Sequence, residues 1–306
     1  MTPFSSSGEI DRDAVRANLS RLERLSVVRG VYVGSVYQQF TALTLAERFW
    51  LAEAAVAWAE EHGCETVVAA SANALPEARA LAEHASDIGA TATMVWPPLF
   101  GERTPDAVTD FVEAVCETRP EQPVCIYSSG LDEVGFHIKP PQLQEILERC
   151  ANVVAVKEAS LTLGGYLAML RTCGDQVAVS SPLEEYHLVG KLLEPDIAPG
   201  VLLGSSRVLY ADVYCDHPCE RYVAAIREAD WDGAWTAAKE ILDLAEAVHN
   251  PFLARGGHSL AAARELFREA GFDIGAARPP LRDLPPSKAE ELRQAAIRSQ
   301  PARVGG

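Results

Sequence analysis

The sequence predicts an α/β protein, a (β/α)₈ TIM barrel with a C-terminal helical extension, on three observations. Between residues 27 and 206, short apolar, β-branched runs alternate with longer Ala/Leu/Glu-rich stretches. The runs are continuously apolar, as parallel strands covered on both faces are. A chain of 306 residues that is 48% hydrophobic can fill one large core.

The elements follow in order. The chain opens on Met1-Thr2-Pro3-Phe4, then Gly8, Ile10 and Asp11, which reads as the end of a first strand that is truncated or begins upstream. A helix is expected from Arg12 to Leu25. Seven strands are then legible at 27–34, 65–71, 91–98, 122–129, 152–160, 176–181 and 196–206. Between them lie helical stretches. Thr44 to His62 opens with Thr44 and Glu47 at capping-box spacing. Pro76 to Gly89 stops on a glycine. Pro105 to Thr118, Pro140 to Cys150, Leu161 to Cys173 and Glu184 to Leu193 keep the rhythm. A closed barrel of this kind has eight strands, so the truncated one is counted as the first. An open dinucleotide-binding sheet is the competing architecture, but no G-x-G-x-x-G follows an early strand. Beyond residue 207 the pattern is helical, over 217–248 and 258–271 with a Gly256-Gly257 break, then Pro286 to Ser299 and a loose PARVGG tail. The barrel is assigned to 1–210, with the helices of 211–306 packed on it as one structural unit.

Charge and cysteine usage narrow the function. Lys and Arg total 27 against 43 Asp and Glu, a net charge of −16, which disfavours nucleic acid and anionic lipid as partners. The seven cysteines are odd in number and scattered, which fits a reducing cytoplasm better than a disulfide framework. Cys215, His217 and Cys219 lie close together, but two further ligands at zinc spacing are not evident, so no metal is expected. Thr2-Pro3-Phe4 after Met1 does not resemble a secretory leader, and no apolar run approaches the roughly 20 residues that span a bilayer.

Lys157 is the sharpest chemical feature. It ends the apolar run Val153-Val154-Ala155-Val156. Every second side chain of a barrel strand points inward, so a lysine at the carboxyl end stands in the mouth among apolar groups. Desolvation disfavours the ammonium and favours an amine able to attack a carbonyl. A lysine leaving the barrel and reaching for water is the other reading. Tyr127 ends the preceding strand at matching height, where a phenol can move protons beside an imine-forming lysine. It can equally be a buried aromatic with a satisfied hydroxyl. Gly34-Ser35 ends the first legible strand, and a glycine-led turn there either exposes backbone N–H groups to an anion or simply turns the chain.

These residues stand within motifs that resemble the N-acetylneuraminate lyase and dihydrodipicolinate synthase family: TPF with GEID, YVGSVYQQFTALTLAER, the double proline after MVW, IYSSG, AVKEAS and ARPPL. The resemblance covers nearly the whole chain. It implies that Lys157 forms a Schiff base with pyruvate or a related keto acid, that Tyr127 shuttles protons, and that the Gly34-Ser35-Val36 turn holds the carboxylate. It places Glu184, with Glu185, and Gly204 with Ser205 where the lyase branch contacts the rest of its substrate; a solvated helix start and a turn are the plainer readings. It also implies no cofactor and a homotetramer or homodimer.

The sequence departs from the family pattern at several points. Val36, Tyr37 and Gln38 replace the turn's second hydroxyl, second glycine and glutamate. Tyr37 lacks a glycine's conformational freedom. Leu99-Phe100 stands where a tyrosine is usual, and Ser128 to Glu133 lacks the arginine of the synthase branch. Condensation as in the true synthase is therefore not expected. Three readings follow: a class I, lysine Schiff-base aldolase or lyase joining or releasing a 2-keto acid and an aldehyde more apolar than a sugar; a 2-keto-sugar-acid dehydratase on the same imine; and a non-catalytic keto-acid-binding homologue. A barrel alone does not choose among them.

Overall fold

The computed structural model describes residues 1–130, 136–250 and 259–299. The chain divides into two compact units, one of Arg29–Ser35 with Leu43–Gly204, the other of Met1–Val28, Val36–Ala42 and Ser205–Gly306. The Gly256-Gly257 pair, residues Leu131 to Glu133 and the tail lie outside the described residues.

The first unit holds a six-stranded, all-parallel sheet in sequence order: β1 Gly30–Val33, β2 Glu65–Ala69, β3 Ala92–Val95, β4 Val124–Ser129, β5 Val153–Ala159 and β6 Ala178–Ser180. Each strand is followed by a helix, as expected: α2 Leu45–His62, α3 Leu75–Asp87, α4 Pro105–Cys116, α5 Pro140–Arg149, α6 Leu163–Cys173 and α7 Glu184–Leu193. Local chemistry sets the helix ends. Thr44 and Glu47 form the capping box of α2, and left-handed Gly63 stops it. Thr104 and Thr162 accept from the backbone N–H groups of Ala107 and Gly165 and start α4 and α6. Outward side chains of the strands, Val95, Ile126, Val156 and Val179, pack with Val112, Ile146 and Met169 of the helices. Each such residue contributes about 1.5–3 kcal/mol when withdrawn from water.

The sheet is curled. Neighbouring strands stand about 4.8 Å apart, so β1 and β5 would be roughly 19 Å apart in a flat sheet. Yet Nζ of Lys157 on β5 lies 5.5 Å from the ring centroid of Tyr32 on β1. Inner-face side chains therefore converge. A register shift at Val124/Cys125 leaves Val154 bulged and 47% exposed, and beyond it Tyr127 stands directly beside Lys157.

Two expectations about the sheet need correction. Residues 196–206 form no strand. Pro199 has no N–H to give a ladder, and Gly204 takes a left-handed φ of 78°. One side chain replaces part of the missing pairing: Ser180 Oγ donates to the Val201 carbonyl (3.0 Å) and accepts from the Leu203 N–H (2.8 Å). At the other end, Phe4 makes isolated antiparallel bridges with Ile10 and Ala276, so the opening residues do not finish a parallel strand of this sheet.

The second unit is helical: α1 Arg12–Leu22, α8 Ala211–Tyr214, α9 Pro218–Glu228, α10 Trp231–Val248, α11 Ser259–Glu269 and α12 Pro286–Ser299. The single helix expected over 217–248 is two. Ala229 is left-handed (φ 55°), and Asp230 starts α10 by accepting from the Gly233 N–H.

Candidate active site

Tyr127 and Lys157 are register partners in β4 and β5, and Lys157 is in turn paired with Ser180 of β6. Their side chains share the inner face. Lys157 Nζ lies 4.6 Å from the Tyr127 ring centroid, and the residue is 7% exposed. Burial holds its pKa down, from 10.5 to about 8; the opposing influence of Cys125 is smaller. Cys125 is itself pushed up to about 12 by burial, so its thiol is neutral at physiological pH. Glu158, the next residue along, points to the opposite face, where it accepts from the Ser160 N–H and meets His137 Nε2 at 3.5 Å. Among the described residues Lys157 has no ion-pair partner. A lysine with a pKa near 8 holds roughly 300 times more free amine at neutral pH than one at 10.5.

Two residues beside this pair were not singled out from sequence. Trp96, just past β3, stacks on Tyr127 at 3.9 Å between centroids and 1° between planes. Its Nε1–H donates to Tyr32 Oη at 2.5 Å. Burial pushes the Tyr32 phenol well above 10, so it stays protonated. The signal was present in the strand period: Tyr32 is two residues before Gly34, and Trp96 two beyond the inward Met94. Arg48 of α2 also went unnoticed. It is buried and donates to the carbonyls of Ser71 (2.7 Å) and Ala69 (3.1 Å), tying α2 to the end of β2.

Gly204 is brought to Lys157. A Cβ on Gly204 would lie 2.9 Å from Lys157 Nζ and Cε. Ser180 makes this approach possible, because its hydroxyl pins the segment just before Gly204. Gly34 closes β1 with φ 84°, and its Cα faces Ala69, whose Cβ would stand 3.0 Å from an added Cβ. Ser35 is buried beside it. Glu184 is 3% exposed in the first turn of α7, where the helix N-terminus favours a carboxylate; the plainer reading of a solvated helix start does not describe it. Val36 and Ser205 each fall one residue past the unit boundary, in the helical unit.

The altered turn resolves in an instructive way. Val36–Gln38 is a short 3₁₀ helix, and the left-handed backbone falls on Gln39 (φ 58°), so Tyr37 needs no glycine-like conformation. Tyr37 Oη bonds His249 Nε2 at 2.9 Å inside the helical unit. Phe100 is 83% exposed, while the N–H groups of Leu99 and Phe100 both donate to Asn73 Oδ1. His217, weighed above with Cys215 and Cys219, instead faces Asp212 and Glu220; the ligand atoms of these three residues lie within 4.8 Å of one another, and neither cysteine joins the set.

A curled parallel sheet with an unpaired lysine at its inner carboxyl end sets the context for the comparisons. The sequence profile described as "Dihydrodipicolinate synthetase family" matches residues 1–297. The chain belongs to this family. Among curated relatives, a 4-hydroxy-tetrahydrodipicolinate synthase of Synechococcus sp. (strain CC9605) is 26% identical over 296 residues, covering 96% of this chain and 91% of the relative. A probable 5-dehydro-4-deoxyglucarate dehydratase of Bradyrhizobium diazoefficiens is 25% identical over 302 residues, covering 99% and 90%. Among solved structures, YagE of E. coli K12 in complex with pyruvate superposes with a TM-score of 0.83 at 17% identity, covering 97% and 95%. Proteus mirabilis N-acetylneuraminate lyase gives 0.79 at 19%, also covering 97% and 95%. These two likenesses show that the curled six-stranded sheet and its helices match the TIM-barrel-like α/β fold of the family in this divergent member. No helix among the described residues is long and apolar enough to cross a membrane.

Proposed function

We propose that this family member is a Schiff-base lyase or aldolase acting on pyruvate or a substituted 2-keto acid. The observation that carries the reading is Lys157: a buried, unpaired amine held near pKa 8 by desolvation, with a tyrosine beside it. The amine attacks the ketone carbon to give a carbinolamine. Protonation of the carbinolamine oxygen and loss of water leave a protonated imine. As the β-hydroxyl gives up its proton, the bond between the α and β carbons breaks, an aldehyde departs and the electron pair moves into the cation to leave a neutral enamine; bond formation runs the same step in reverse. Tyr127 is the proton carrier for the carbinolamine and for the departing or arriving aldehyde oxygen. Gly34 and Ser35 are assigned to the keto-acid carboxylate, and Glu184 and Gly204 to the remainder of the substrate. The reaction calls for no cofactor, and the working form is a homo-oligomer.

A specific observation supports one alternative, a 2-keto-sugar-acid dehydratase on the same imine. The relative named as a dehydratase matches this chain over as much of its length as the synthases do. The two chemistries separate by product: dehydration leaves the carbon chain whole, cleavage shortens it.

Borohydride reduction in the presence of pyruvate tests the reading. The expected result is a stable mass increase mapped to the peptide bearing Lys157 and absent from Lys157→Ala. Folded protein that yields no adduct with pyruvate or any of several other 2-keto acids would overturn the lyase and the dehydratase together.

A further inference from the structure

We infer that Tyr32 is a further catalytic residue of this site: its ring face, together with that of Tyr127, cages the Lys157 nitrogen and carries the charge of the protonated imine where the described residues offer no carboxylate counter-ion. The inference rests on the Schiff-base reading and adds a residue to it.

A protonated imine is a cation formed in a site that has already excluded water. Burying such a charge is costly unless something of opposite polarity faces it. The obvious candidates do not. Glu158 is turned to the other face and occupied by the Ser160 N–H and His137. Cys125 remains a neutral thiol. What does face Nζ is two aromatic rings, Tyr127 at 4.6 Å and Tyr32 at 5.5 Å from their centroids. Both distances lie inside the range, about 6 Å, over which a ring quadrupole attracts a cation.

The surroundings keep both rings in place and keep Tyr32 in the form this role requires. Trp96 lies flat against Tyr127 and donates its indole N–H to Tyr32 Oη, so one side chain orients both walls. Burial keeps the Tyr32 phenol protonated, so it acts through its ring face and not as a phenolate. Gly204 lies against the lysine, where no side chain could intrude without striking Nζ.

The test varies the ring's electrostatics at constant shape. Position 32 is filled in turn with phenylalanine, difluorophenylalanine and pentafluorophenylalanine, and the pyruvate concentration giving half-maximal borohydride-trapped adduct is measured. With phenylalanine as reference, withdrawal of the quadrupole is expected to raise that concentration stepwise, by about 2- to 30-fold in all. Tyr32→Leu, which keeps apolar bulk without a π face, is expected to behave like the most fluorinated ring; if it does not fold, the isosteric series still decides. A flat series with adduct formed throughout overturns the cage and leaves the lyase standing. Absence of adduct in the folded wild-type chain overturns the Schiff-base reading and the cage with it.

Discussion

Replacing Lys157 with methionine should make this protein more stable at neutral pH while abolishing imine formation. The native state holds the lysine with a pKa near 8 because burial penalises the ammonium, whereas the unfolded chain holds it at 10.5. Between those values the unfolded state binds more protons, so the penalty is fully present below pH 8 and relieved as pH rises through 8 to 10.5. At about 1.4 kcal/mol per pH unit, the native state gives up roughly 3 kcal/mol at pH 7 and about 1.4 kcal/mol at pH 9.5. Methionine has similar length and no charge, so it fits the space between the Tyr32 and Tyr127 rings without the penalty. Urea unfolding of wild type and Lys157→Met at both pH values measures the difference. The gain should be largest at pH 7 and shrink by about half or more at pH 9.5. An unchanged midpoint at pH 7, or the same gain at both pH values, would refute the claim that desolvation dominates this lysine. A stabilising loss of function is also what a group kept for chemistry at the expense of the fold should show.

Three further outcomes follow from the same geometry. Tyr127→Phe keeps the stack on Trp96 but removes the proposed proton carrier, so turnover should fall by about 10²–10⁴-fold with an unchanged circular dichroism spectrum; a loss under threefold would remove Tyr127 from the mechanism. The kcat/KM of the free enzyme should rise with pH and level off near 8, as the ammonium of Lys157 gives way to the amine, and a profile flat down to pH 6 would contradict that assignment. Gly204→Ala places a methyl 2.9 Å from Nζ at a left-handed position, so half-saturation for the trapped adduct should rise roughly tenfold or more, with about 1–3 kcal/mol lost from stability. Wild-type adduct formation in that variant would show that the lysine moves aside freely.

Much of the fold was legible because it depends on local pattern. Continuous apolar runs marked all six strands, and Thr44 with Glu47 marked the start of α2 to the residue. The chain at 196–206 misled for a physical reason: its apolar residues look like a strand, but a ladder needs N–H groups in extended geometry, and Pro199 and left-handed Gly204 break it. The helix over 217–248 misled in the opposite sense, because nothing in Ala229-Asp230 excludes helix, and the stop comes from a left-handed alanine that sequence does not advertise. At the site, Lys157 and Tyr127 could be proposed because each lies near the carboxyl end of its own strand. For Tyr32 and Trp96 the strand period marks only an inward direction; that they meet the lysine depends on a convergence across the curl of the sheet.

By itself, then, the sequence determined the six strands and the helices that follow them, and that a lysine and a tyrosine sit near the carboxyl ends of neighbouring parallel strands. Those follow from side-chain period, capping chemistry and β-branching, all local. Only the tertiary structure decided that the lysine has no counter-ion among the described residues, that Glu158 looks away from it, that Gly204 touches it, and that two aromatic rings enclose it. Each of these depends on which side chains from distant strands share one desolvated space. Curvature and burial set that, and no stretch of sequence carries either one alone.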